Sequence, residues 1–201
     1  MAAVKQNLIL EQGRTYSQGL RWEEEPYVYV PISAITKAAP AQVTTSTPHG
    51  LVDGWRVAVV SALGMTQINA ENDPPLDSEF RRVTLVSPTV VEFNALNSSG
   101  FDAYVSGGYL QFFTPVDLTG FTARMSVKDK VGGTELISLT TENGRIVVDP
   151  TAKSIRLALS ATDTGALTWK RGVYDLEMVS LTGDVFALFT GSVTVTPEIT
   201  T

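Results

Sequence analysis

The chain has 201 residues, enough to bury on the order of 70% of its unfolded surface and to support one or two cores. With no cysteine and a single histidine, disulfides, thiolate nucleophiles and cysteine zinc sites are excluded, and a transition-metal site within one subunit has almost no ligands to draw on. A net charge of −6, with basic residues scattered and adjacent only at Arg81-Arg82 and Lys170-Arg171, opposes a grip on phosphate backbones, so no nucleic-acid partner is expected.

In chain order, Leu8-Ile-Leu10, the turn Glu11-Gln-Gly13 and Thr15 to Trp22 read as a strand, a reversal and a second strand. From about Ile35 to Phe113 the rhythm changes, with strands centred on 41–45, 56–60, 80–86, 90–94 and 108–113. Breaks fall at Pro48-His49-Gly50, Asn72-Asp-Pro-Pro75 and Asn97-Ser-Ser-Gly100. From 117 to 198 the pattern is one series of short alternating strands. Phe121, Ala123, Met125 and Val127 fall on one face and Thr122, Arg124 and Ser126 on the other, because strand side chains alternate with period two. The same alternation runs through Ile155, Leu157 and Leu159, then Tyr174, Leu176 and Met178, then Val193 and Val195. Reversals are expected at Gly132-Gly133, Asn143-Gly144 and Thr182-Gly183-Asp184. Between the strands ending near Ser160 and beginning near Gly172, Ser160 with Asp163 forms a capping-box pattern, and Gly165 keeps the helix it opens very short.

A sheet with one dry face must bury that face against a second sheet, so this block reads as a β-sandwich. The strand pieces before Ile35 are too few to bury their apolar faces alone and are expected to pair with the block after Pro115. Residues 34–113 then form a module inserted into a discontinuous sandwich domain of 1–33 and 114–201. No run of about 18 apolar residues offers a membrane span, and the N-terminus lacks the basic-then-apolar order of a signal peptide. The expectation is a soluble chain outside the general secretory route, with no membrane partner.

His49 is the one candidate general base, near Thr47 and Asp53 in sequence, but no nucleophile-elbow or oxyanion signature accompanies it. A histidine in a turn between strands is expected to pack on the sheet and bond a backbone carbonyl, so no catalytic residue is assigned. Glu23-Glu-Glu25 and the acidic stretch from Glu71 to Glu79 offer oxygens to a hard cation without regular ligand spacing, and they read as solvated surface. No metal or other cofactor is expected. Trp22, Tyr27 and Tyr29 lie close together, as do Tyr104, Tyr109, Phe112 and Phe113. Such aromatic groups either pack cores or stack on sugars and partners. Trp22, Tyr27, Tyr29 and Tyr104 are the candidate partner-binding residues.

Within the middle module, Val43-Thr-Thr-Ser-Thr-Pro-His49-Gly-Leu51, Asp53-Gly-Trp-Arg-Val57, Gly64-Met-Thr-Gln-Ile-Asn69 and Ser106-Gly-Gly108 resemble a small β-barrel module found as an insert in ubiquitin-activating enzymes. That module is similar to a building block of tailed-bacteriophage tail and baseplate proteins. The catalytic cysteine of those enzymes has no counterpart here, so ubiquitin chemistry is not implied. Gln12-Gly-Arg-Thr-Tyr-Ser17, Asp117 to Met125, Leu159-Ser-Ala-Thr-Asp-Thr164, Gly172-Val-Tyr-Asp-Leu-Glu177 and Gly191-Ser-Val-Thr-Val195 resemble phage virion proteins with an immunoglobulin-like N-terminal domain. The resemblances imply an all-β chain: an immunoglobulin-like β-sandwich with a small β-barrel inserted near its N-terminus. The implied role is a non-enzymatic, multi-copy adaptor in the virion, at the tail, baseplate or collar, with other virion proteins and copies of itself as partners. Its terminal segments, 1–7 and 196–201, are candidate arms lying on a neighbour. The chain ends soon after Pro197, and no receptor-binding or fibre-forming segment is expected to follow. A carbohydrate-binding or host-adhesion module is the alternative.

Overall fold

The structure is a computed structural model and describes residues 3–199. In chain order its strands are β1 (Val4–Lys5), β2 (Leu8–Glu11), β3 (Tyr16–Leu20), β4 (Glu23–Ile35), β5 (Ala41–Thr45), β6 (Arg56–Leu63), β7 (Arg81–Arg82), β8 (Thr84–Ser87), β9 (Val90–Phe93) and β10 (Ser106–Pro115). There follow β11 (Thr122–Lys128), β12 (Glu135–Thr140), β13 (Ile146–Asp149), β14 (Ser154–Leu159), the helix α1 (Ala161–Gly165), β15 (Arg171–Val179) and β16 (Val185–Thr196). The architecture is all-β, in several sheets. Two compact units divide it: Met1–Trp22 with Val116–Thr201, and Glu23–Pro115.

In the first unit one sheet runs β1-β16-β15-β11-β12, with β2 also on β16, and a smaller one runs β13-β14-β3. Successive stretches of the N-terminus lie parallel along β16, Val4 opposite Phe189 and Leu8 opposite Val193. β3 is antiparallel to β14, Leu20 facing Ile155. The opening strands thus complete sheets built from the C-terminal third. Gly191 makes the close approach possible, because a Cβ there would sit 2.8 Å from the carbonyl carbon of Gln6 and closer still to its oxygen.

Part of each segment expected as a terminal arm is laddered within the chain. Gln6 N–H donates to the Thr190 carbonyl at 2.8 Å, and Thr196 pairs with Glu11. Residues 4–6 and 196 are therefore paired along one side within their own chain. Residues 1, 2, 200 and 201 lie outside the described residues.

Both sheets send apolar side chains into one cluster, with Met125, Leu176 and Val193 from the larger and Leu20, Ile146 and Ile155 from the smaller. Burying each such side chain contributes about 1.5–3 kcal/mol. Ala123, Met125 and Val127 are buried, as are Ile155, Leu157 and Leu159, then Tyr174, Leu176 and Met178, then Val193 and Val195. Phe121 stands just ahead of β11 and is half-buried. The helix α1 begins at a full capping box: Ser160 Oγ accepts from Asp163 N–H at 3.1 Å, and the Asp163 carboxylate accepts from Ser160 N–H at 3.1 Å. Arg145 pairs with that carboxylate.

In the second unit the strand order is β7-β6-β10-β4-β5-β9-β8. The two outermost strands are separated in sequence by Val83 alone, so the ladder nearly returns on itself as a barrel. Val83 N–H donates to the Trp55 carbonyl at 3.0 Å, and its own carbonyl accepts from Gly54 at 2.9 Å. Trp55, Val57, Met65, Val91, Phe93, Leu110 and Phe112 fill the interior.

Residues 23–33, expected with the sandwich, instead form most of β4, which pairs with β10 through Pro31 and with β5 from Ile32. The acidic run and Pro26 hide this strand. Its ladder skips Glu25 and Pro26, passing from Tyr27 opposite Phe113 to Glu24 opposite Thr114. A proline lacks the N–H a ladder needs and is tolerated at such an irregularity. The unit boundaries accordingly fall at 22/23 and 115/116, against the expected 33/34 and 113/114.

Candidate functional site

The candidate aromatic residues separate once the chain folds. Trp22 is 6% exposed and packs in the first unit's core, its ring 5.5 Å from Phe121 and 5.3 Å from Phe186. Tyr104 belongs to the second unit and is half-buried; its hydroxyl is within bonding distance of the Ile32 carbonyl at 3.0 Å and the Gly107 carbonyl at 2.9 Å. Burial raises its pKa, and its polar tip is committed to holding the backbone.

Tyr27 and Tyr29 do come together, on the outward side of β4. Their neighbours Val28 and Val30 point to the barrel interior, so period-two alternation turns the tyrosines outward. The register sets Tyr29 opposite Gln111 and Tyr27 opposite Phe113. The Tyr27 ring lies 4.5 Å from Phe113, and Tyr29 meets Tyr109 edge-to-face at 6.1 Å and 90°. Phe80 closes one end against Tyr27 and Phe113, and the Arg56 guanidinium sits 5.3 Å over Phe113 and 5.6 Å over Phe80. Arg56 is held in turn by Glu23 and, at 3.2 Å, by Asp77. At the open end Tyr29 is 51% and Tyr109 42% exposed.

Gln111, Phe80 and Arg56 completed this strip without being singled out in the sequence. Alternation within Tyr109-Leu110-Gln111-Phe112-Phe113 is the signal that places Gln111 in phase with the outward rings and Phe112 in the core. Gln111 is only 1% exposed, and its amide nitrogen has no hydrogen-bond partner. A buried donor without an acceptor is uncommon and costs about 1–3 kcal/mol. The strip therefore combines two exposed rings with an unanswered donor beside them.

His49 is buried, with both ring nitrogens engaged: Nε2 donates to the Ser87 carbonyl at 3.1 Å and Nδ1 accepts from Leu51 N–H at 3.1 Å. Burial lowers its pKa, against the raising influence of the Ser87 and Val90 backbone. Asp53 Oδ1 accepts from Leu85 N–H at 3.0 Å, and the Thr47 carbonyl accepts from Thr45. The ring is thus a brace between two backbone segments.

In the acidic loop, the Glu79 carboxylate accepts from the N–H groups of Leu76 at 2.6 Å, Glu71 at 2.5 Å and Asn72 at 3.2 Å. Those bonds, Leu76 foremost, hold its pKa below the usual carboxylate value. Glu79 works as a loop clamp. Among the described residues no group of three or more His, Cys, Asp or Glu is arranged to hold a metal ion. A cleft bordered by Thr15 and Gly144 surrounds the Arg145–Asp163 pair that braces α1.

Comparison with known proteins finds no family model that matches the chain and no curated protein that matches it.

Proposed function

We propose that this chain is a non-enzymatic structural component of a tailed-phage particle, a multi-copy adaptor at the tail, baseplate or collar that connects larger virion proteins such as fibres. Its first unit is read as an immunoglobulin-like sandwich and its second as the inserted small barrel. The observation that carries the reading is the splice itself. A nearly closed sheet is set between Trp22 and Val116, inside a unit whose opening strands are laddered to its last strand, in the arrangement implied by the resembling motifs. Function then means assembly. β3, β12 and β13 each pair on one side only, and an edge of this kind takes a neighbour's strand by main-chain hydrogen bonding. Peptide mass spectrometry of purified particles tests the proposal: the chain is expected in several copies per particle, and its absence removes the reading.

A second reading, a carbohydrate-binding or host-adhesion module, is favoured by the exposed Tyr29 and Tyr109 rings beside the unpartnered Gln111 amide. Aromatic faces stack on apolar sugar faces. It predicts saturable glycan binding that is lost in Tyr29→Ala and Tyr109→Ala variants; no binding across a broad glycan panel removes it.

A further inference from the structure

The outward face of the six-stranded sheet in the first unit forms a trough of about 770 Å³. Strand register explains its shape. Ser138, Ser126, Asp175, Thr190 and Lys5 are successive partners across β12, β11, β15, β16 and β1, a single row over five strands. With neighbouring strands about 4.8 Å apart, the row is roughly 19 Å long. All of its members but Lys5 are short. The flanking rows carry longer side chains, Arg124 and Glu177 on one side and Lys128 on the other, so the short row becomes a floor between raised walls.

The charges are unevenly committed. Each of the three carboxylates in the trough already accepts a hydrogen bond: Glu177 from Arg124 at 2.7 Å, Glu135 from Ser126 at 2.6 Å and Asp175 from Thr190 at 3.0 Å. Lys5, Lys128 and Lys130 line the trough and have no ion-pair partner among the described residues. They are half of the six lysines in a chain of net charge −6. The lining thus sets four cations, these lysines and Arg124, against the carboxylates Glu135, Asp175 and Glu177, a net excess of one positive charge on an acidic chain that favours an anion.

We propose that this trough binds a carboxylate-bearing oligosaccharide, a polyuronate in chemical class. The floor offers the Ser138 hydroxyl as donor and acceptor, and the Ser126 and Thr190 hydroxyl oxygens and the Asp175 carboxylate as acceptors, which answers the hydroxyl groups of a polyol. The lysines answer its carboxylates. An acidic peptide fits less well. Peptides are held by main-chain bonding at a sheet edge or by apolar pockets, whereas β11, β15 and β16 are paired on both sides and the floor is polar. Binding here is independent of particle assembly and lies on a different unit from the tyrosine strip.

The test is calorimetric titration of the full chain with an oligogalacturonate, a neutral maltooligosaccharide and an oligoglutamate, at about 0.05 M and about 0.5 M salt. Saturable binding of the oligogalacturonate alone is expected, weakening at high salt. The exposed double variant Lys128→Glu with Lys130→Glu should bind it roughly tenfold less tightly or worse, since each attraction becomes a repulsion. Amide chemical-shift changes should map to Ser126, Asp175 and Thr190. Failure of the oligogalacturonate to bind overturns the proposal, as does equal binding of the neutral sugar or of oligoglutamate. An unchanged affinity in the double variant overturns it too.

Discussion

Replacing Gly191 by alanine tests how the N-terminus is anchored. The added methyl would meet the Gln6 backbone, 2.8 Å from its carbonyl carbon, and the Asn7 side-chain oxygen at 3.2 Å. Backbone cannot swing aside as a flexible side chain can, so Gln6 must lift from β16. Overpacking of this kind costs about 1–3 kcal/mol. Lifting Gln6 also breaks the bond that the buried Tyr174 hydroxyl donates to its carbonyl at 2.8 Å. An orphaned buried donor adds about 1–3 kcal/mol. The sum, about 2–6 kcal/mol, is a large share of the ~5–15 kcal/mol that stabilises a typical domain. Gly19 in β3 supplies the control: a Cβ there meets nothing within 4 Å, so Gly19→Ala is expected to be neutral or to stabilise by up to about 1 kcal/mol through the unfolded chain. Urea unfolding gives the two free energies, and amide exchange at Gln6, Leu8 and Leu10 locates the damage. If Gly191→Ala is no more destabilising than Gly19→Ala, or if exchange at those amides is unchanged, the close approach is not what seats the N-terminal strands.

Burial, with a smaller contribution from Tyr16, pushes the Tyr174 pKa up to about 12 from its ordinary 10.0. The fold therefore favours the neutral phenol; the stability linked to it is complete below about pH 10 and is lost as pH rises through about 12, at most about 2–3 kcal/mol. Denaturant titrations across that window should show a flatter alkaline decline for Tyr174→Phe than for the parent chain. His49 is shifted down by burial, so its contribution is complete above its ordinary value of 6.5 and falls as pH drops through the lowered folded value. His49→Ala, by stranding Leu51 N–H and the Ser87 carbonyl, should destabilise the second unit by about 1–3 kcal/mol at neutral pH and show a weaker acid dependence in the same measurement. Ser160→Ala removes the acceptor for Asp163 N–H and should cost about 1 kcal/mol, read as a lowered urea midpoint; a midpoint within error of the parent would deny the cap its role.

Alternation was legible in the C-terminal strands that have one wet and one dry face. In β11, β14, β15 and β16 the residues in the apolar phase are the buried ones, because a period-two pattern over half a dozen residues has a single way to face a core. The Ser160 cap was legible for a related reason: both of its hydrogen bonds close within three residues. The turn containing His49 suggested its bond to a backbone carbonyl, though not that Ser87 would supply it. β4 was not legible. Its charges and proline mimic a loop, and its identity as a strand comes from β10, about eighty residues away, whose irregular register passes over Glu25 and Pro26.

Local chemistry in the sequence alone determined an all-β chain, the phase of four of its C-terminal strands, the helix cap and the exclusion of cysteine chemistry. Those features depend on side-chain periodicity and on bonds between near neighbours. Tertiary structure decided that Trp22 belongs to a core while Tyr29 stands exposed beside Tyr109, and that Lys5 joins Lys128 and Lys130 around one depression. Such groupings depend on which distant strands are partners and in what register, and a slip of a single residue would turn Tyr29, Tyr109, Lys5 and Lys128 to the opposite face.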